Sequence, residues 1–282
     1  MTVPRDRSFV QVDVFSTRPF QGNPVAVVMD GTDVTDDEMQ RVAQWTNLSE
    51  TTFVLPATTP EADYRLRIFT PQGELPFAGH PTLGSARAWL ACGGVPRHTD
   101  RVVQECGAGL VTVRRGTDML SFAAPPRIRE GALDDAYLHR IIKAFGIQAE
   151  DVLAHQWVDN GPGWAVLHLP TADDVLALDP DLSLIPEAMV GAIGAYPEGA
   201  EHDFELRTFA PGCGVPEDPA CGSMNASVGQ WLTATGAAPS AYRVSQGTRV
   251  GRAATIEVNA EADGTVWVSG TATVLVRGTI TL

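Results

Sequence analysis

Apolar and polar residues alternate from Val10 to Phe15 and again from Tyr64 to Phe69, the period-two pattern of half-buried strands. Between them lies a turn at Phe20, Gly22, Asn23 and Pro24. A short apolar, β-branched run from Pro24 to Met29 then predicts a second strand. Thr35 precedes three acids, Asp36, Asp37 and Glu38, and then apolar residues at helical spacing, which predicts a helix over Thr35 to Trp45. The polar segment Asn47–Leu48–Ser49–Glu50–Thr51–Thr52 leads into a strand over Phe53 to Leu55. Pro81 to Cys92 predicts a helix, stopped by Gly93 and Gly94, and strands follow at Val102 to Gln104, Leu110 to Arg114 and Met119 to Phe122. The second half repeats this order. It has helices at Leu138 to Phe145 and Met224 to Thr235, strands at Trp164 to Leu169 and Phe204 to Phe209, and strands again from Ala254 onward. Pro125–Pro126 marks the junction of the halves.

A local repeat strengthens the comparison. RIFTPQGELPFAGHPTLGSARAWL (Arg67 to Leu90) and RTFAPGCGVPEDPACGSMNASVGQWL (Arg207 to Leu232) both open with Arg-x-Phe-x-Pro and both place a small residue and a glycine before a helix. With a few residues of slack, Ala78 falls opposite Cys221, Gly79 opposite Gly222 and His80 opposite Ser223, which reads as an internal duplication. The two helices, PTLGSARAWLAC and MNASVGQWLTAT, are small or apolar nearly all round, so each belongs inside a core with a β-sheet curled about it.

The chain has 282 residues, 44% of them hydrophobic, enough for one large domain or two smaller ones. A net charge of −14 disfavours nucleic acid and anionic lipid as partners, though not a small anionic substrate held in a locally positive site. No run of apolar residues is long enough for a membrane span, and MTVPRDRSFVQVDVF lacks the pattern of a secretory signal. Cys92, Cys106, Cys213 and Cys221 form no CxxC pair, so reduced thiols and a cytoplasmic location are expected. Of twenty basic residues only Lys143 is a lysine, and it sits in an ordinary amphipathic helix, a poor place for Schiff-base chemistry. GxGxxG after a strand, GxxxxGK[ST] and HExxH are all missing, which weakens nicotinamide, nucleotide and zinc readings.

The helix starts suggest the chemistry. A helix N-terminus offers unpaired N–H groups and the positive end of its dipole, and Gly79 and Gly222 would let a carboxylate approach closely. Both glycines could equally serve only tight strand-to-helix turns. Pro81 fits the first helical position. Candidate proton carriers are His80 near the first helix and Glu217, Asp218, Cys221 and Ser223 near the second. The bland alternatives are a structural histidine, acids that only cap a helix, and, for Glu50, a solvated loop acid.

FQGNPVAVV (Phe20 to Val28), WTNLSETTFVL (Trp45 to Leu55), RIFTPQGELPFAGHPTLGSA (Arg67 to Ala86) and EDPACGSMNAS (Glu217 to Ser227) together resemble the PhzF family, over nearly the whole chain. The resemblance implies an α+β, diaminopimelate-epimerase-like fold: two similar lobes, each a β-barrel around a central helix, with the active site in the cleft between them. The lobes would span 1–123 plus about 270–282, with a helix near 81–92, and 124–269, with a helix near 224–235. It implies an isomerase that uses no metal or organic cofactor and shifts a proton on a small cyclic carboxylate such as trans-2,3-dihydro-3-hydroxyanthranilate. A homodimer is also implied. The family's catalytic glutamate, histidine and aspartate fall on Glu50, His80 and Asp218. Its substrate-binding serine falls on Ser223, its backbone glycines on Gly79 and Gly222, and Cys221 lies beside them. Related racemases use two cysteines, and here the first position is Ala78. A racemase pairing Cys221 with Glu50 or His80, and a non-catalytic ligand-binding protein, are the competing expectations.

Overall fold

The computed structural model describes residues 4–282, so the first three residues of the N-terminal segment lie outside it. The chain forms two compact units, Met1–Ala123 with Ser269–Leu282, and Ala124–Val268.

In the first unit, strand β1 (Asp6–Val14) turns back into β2 (Asn23–Val28), and helix α1 (Asp36–Thr46) carries the chain over to β3 (Glu50–Leu55), parallel to β2. Thr35 caps α1 in a capping box with Glu38, and Asn47, in the left-handed conformation (φ 52°), ends it. Strand β4 (Tyr64–Phe69) pairs with β3 and with the short β5 (Glu74–Leu75). Helix α2 (Gly79–Ala91) follows, then β6 (Arg101–Cys106), parallel to β4, β7 (Gly109–Arg115) and β8 (Met119–Ala123).

The second unit opens with helix α3 (Asp135–Phe145), then β9 (Ala154–Trp157), β10 (Ala165–Thr171), helix α4 (Ala172–Ala177) and β11 (Val190–Ala195), parallel to β10. Strands β12 (Phe204–Ala210) and β13 (Val215–Asp218) lead to helix α5 (Gly222–Thr235), and β14 (Ala241–Gln246), parallel to β12, pairs with β15 (Ala254–Ala260). The last strand, β16 (Val266–Thr281), begins in the second unit and ends in the first. There it pairs with β8 and along β1 from Val14 to Asp6, closing the eight-strand circuit β1-β2-β3-β4-β6-β7-β8-β16. Helix α2 packs against β1, β2, β3, β6, β7 and β8, inside that barrel.

The order β2-α1-β3-β4-β5-α2-β6-β7 thus recurs as β10-α4-β11-β12-β13-α5-β14-β15, with the same parallel and antiparallel pairings. The repeated Arg-x-Phe now has a physical reason. Arg67 Nε and Nη2 donate to Glu74 of β5 at 2.7 and 2.6 Å, and Arg207 Nε and Nη2 donate to Glu217 of β13 at 2.9 and 2.8 Å. Each guanidinium also sits 5.0 Å over the ring two residues on, Phe69 or Phe209. Glu217 is therefore the partner of Arg207 rather than a proton carrier, correcting its place among the candidates.

Both buried helices start earlier than the spacing suggests. Gly79, not Pro81, is the first helical residue of α2, and Gly222, not Met224, that of α5. Pro81 still lies in the first turn, where its missing N–H breaks no helical bond. Strand β11 (VGAIGA) escaped the sequence reading because its glycines blur the pattern. They are needed for fit: a Cβ on Gly194 would lie 2.2 Å from the Thr171 carbonyl oxygen.

Two predictions follow from this packing. Arg207 is buried and its Nη1 also donates to the carbonyls of Val175 and Leu178, whereas Arg67 pairs with largely exposed acids. Arg207→Met should cost about 3–5 kcal/mol in urea unfolding and Arg67→Met well under half of that. Glu205, fully buried on β12 and bonded by Tyr196 Oη at 2.9 Å, has its carboxyl held above the usual range by desolvation. The folded state therefore binds this proton more tightly than the unfolded chain, so the penalty is full at high pH and fades as pH falls toward the unfolded value. Glu205→Gln should raise Tm at pH 8, with the gain shrinking near pH 4.5, the group's ordinary value.

Candidate active site

Three chain starts meet in the first unit. Asn23 opens β2, Glu50 opens β3 opposite Val25 of β2, and His80 is the second residue of α2. Asn47 turns the chain out of α1, and the Thr46 and Thr51 hydroxyls, 2.6 Å apart, tie the segment leading to Glu50. Glu50 is not a solvated loop acid: it is 8% exposed and stands on a strand. His80 Nε2 lies 3.3 Å from Glu50 Oε2, and His80 Nδ1 lies 3.2 Å from Asn23 Nδ2. Burial pushes the imidazole down to about 3, with the Pro24 carbonyl opposing in part, so the ring is neutral at physiological pH.

In the second unit, Asp218 ends β13, Cys221 is the N-cap of α5, and Gly222 and Ser223 are its first residues. Asp218 Oδ1 accepts from the Ala220 N–H at 3.1 Å. Ser223 Oγ accepts from the indole N–H of Trp164 at 3.0 Å and lies 3.5 Å from Cys221 Sγ, while Asn160 Nδ2 donates to the Ser223 carbonyl at 3.0 Å. Tryptophan only donates, so this bond leaves the serine O–H free to point elsewhere. Below the helix start, Gln246 Oε1 accepts from the Cys221 N–H and from Asn225 Nδ2, both at 3.1 Å, and Gln246 Nε2 donates to the Asp218 carbonyl at 3.0 Å.

The sequence-derived residues thus fall into two groups, Glu50, Gly79 and His80 in one unit and Asp218, Cys221, Gly222 and Ser223 in the other. Both helix starts share a feature. Helices α1, α3 and α4 carry Thr or Asp side-chain caps and acids in the first turn, but α2 and α5 carry neither. Their first amides therefore have no side-chain cap to accept from them. Asn23, Asn160, Trp164 and Gln246 went unassigned in the sequence reading. Asn23 stood in the quoted FQGNP segment, but the others gave no signal, since each reaches its partner from more than twenty residues away.

Gln246→Leu should strand the Cys221 N–H and cost about 1–3 kcal/mol per unsatisfied buried group, measured by urea unfolding.

A family model described as phenazine biosynthesis-like protein (PhzC-PhzF) matches residues 12–278. A Schizosaccharomyces pombe protein named antisense-enhancing sequence 1 is 37% identical over 97% of this chain and 98% of its own length. A trans-2,3-dihydro-3-hydroxyanthranilate isomerase from Pseudomonas fluorescens is 36% identical over 98% of this chain and 99% of its own. Among solved structures, the phenazine biosynthesis protein of the PhzF family from Bacillus anthracis superposes with a TM-score of 0.81, covering 99% of this chain and all (100%) of its own at 22% identity. The fold is α+β and diaminopimelate-epimerase-like, as in neighbouring epimerase structures.

Proposed function

The chain belongs to the phenazine biosynthesis-like (PhzC-PhzF) family and is an isomerase, and on that premise we propose that it moves a proton within a small amino- or hydroxy-substituted cyclic carboxylate, with Glu50 as the acid/base. The observation that carries this reading is the buried contact of the Glu50 carboxylate with the neutral His80 imidazole, 3.3 Å apart, beside a helix start that no side chain caps. A carboxylate shielded from water can take a proton from one carbon and return it to another. One C–H bond breaks, the electron pair shifts along the ring and a new C–H bond forms, so electrons balance and the reaction needs neither metal nor organic cofactor. Neutral His80 hydrogen-bonds and relays without adding a competing charge. In the first unit the amide at Gly79, and in the second Asp218, Ser223 and the amide at Gly222, are groups suited to a substrate's carboxylate, amino or hydroxyl.

Relatives named trans-2,3-dihydro-3-hydroxyanthranilate isomerase, at 36% and 34% identity, make that compound the leading substrate. The reading extends to a homodimer, as the family resemblance implies, in the cytoplasm, as the spacing of the four cysteines suggests. A racemase is the competing chemistry. With Ala78 at the position matching Cys221, it would rest on a single thiol.

In deuterated water with this substrate, the wild-type protein should consume it and incorporate carbon-bound deuterium. Glu50→Gln should lose roughly 10²- to 10⁴-fold in kcat, and Cys221→Ala should stay within a fewfold. Turnover surviving in Glu50→Gln would remove the glutamate from its role. A folded wild-type protein that leaves the compound untouched would remove that substrate, and amino-acid exchange abolished by Cys221→Ala would establish the racemase.

A further inference from the structure

The segment Phe20 to Asn23 has no task in the reaction above, yet it is built with care. Asp13 Oδ2 accepts from the N–H groups of Gln21 and Gly22, both at 3.2 Å. A Cβ on Gly22 would stand 2.1 Å from the Val14 carbonyl oxygen, so only glycine lets the turn close onto β1. Asn23 then pairs with Val14 as the first residue of β2 and is fully buried. Its side chain ends 3.2 Å from His80 Nδ1.

We propose that Asn23 is a positioning residue whose side-chain amide holds His80 as the Nε2–H tautomer, so that the imidazole presents its proton to the Glu50 carboxylate. This rests on Glu50 and His80 being the proton-transferring pair. Asn23 Nδ2 can only donate, so His80 Nδ1 at 3.2 Å is the acceptor and the ring proton stands on Nε2, which lies 3.3 Å from Glu50 Oε2. The opposite tautomer carries its proton on Nδ1. That would turn the Nε2 lone pair toward the carboxylate, setting two acceptors 3.3 Å apart in a buried site.

The test is the ring-nitrogen NMR spectrum of the protein labelled with ¹⁵N-histidine. His80→Asn would identify the His80 signals among the six histidines. The wild-type ring should be Nε2–H. Asn23→Asp, which accepts but no longer donates, should move the proton to Nδ1. With the dihydro-hydroxyanthranilate as substrate it should lower kcat roughly tenfold or more while leaving KM within a fewfold. Asn23→Ala should give a mixture of tautomers. An Nδ1–H ring in the wild type overturns the proposal whether or not any variant folds. So does an Nε2–H ring kept in folded Asn23→Asp and Asn23→Ala, since the residue would then matter for packing alone. If the tautomer follows residue 23 but the wild-type protein turns nothing over, the hold on His80 stands and the functional reading falls.

Discussion

A helix with sheet on every side can carry almost no charge and little bulk, and α2 and α5 follow that rule. Burying them sets the rest of the structure. Close approach of the strands demands small residues: a Cβ on Gly84 of α2 would lie 2.3 Å from Val25, and one on Gly229 of α5 would lie 2.7 Å from Val258. Polar groups inside must be satisfied by the sheet, and one glutamine does this in each unit. Gln104 of β6 donates to Thr82 of α2 and accepts from Tyr64, as Gln246 of β14 serves Asn225 of α5 and Thr208. The N-caps themselves are Ala78 and Cys221, and neither makes a side-chain cap bond.

The two units carry different side chains on one scaffold. The ion pair of the Arg-x-Phe motif, the glutamine brace and the strand order are shared. At the helix starts the units part: Ala78 and His80 in one, Cys221 and Ser223 in the other. The titratable pair lies with His80, and the hydroxyl oriented by an indole lies with Ser223.

What the sequence displayed was what local physics writes locally. The Thr35–Glu38 capping box marked α1, and the lack of charge marked α2 and α5 as interior helices. The repeat was legible because Arg-x-Phe-x-Pro, and a small residue with a glycine before a helix, recur in both halves. Hidden features depend on distant partners. Nothing near Glu50 shows that Val25 and His80 bury it, and nothing near Gln246 shows that it braces a helix start. Glycine-rich β11 was lost because its apolar pattern is carried by residues with no side chain to read. Asn23 lay in plain view but its role did not, since His80 is 57 positions away.

The last strand imposes an order on assembly at the ribosome. Residues of the second unit are contiguous, so it can complete its own core as the chain emerges at roughly 5–20 residues per second. The first unit is made earlier but cannot seal, because the stave between β8 and β1 comes from Ser269 onward. Until then the outer edge of β1 is an open template of the kind that invites wrong pairing. The half synthesised first is therefore the half that finishes last, and a nascent chain stalled before Ser269 would present to chaperones a barrel with one seam unstitched.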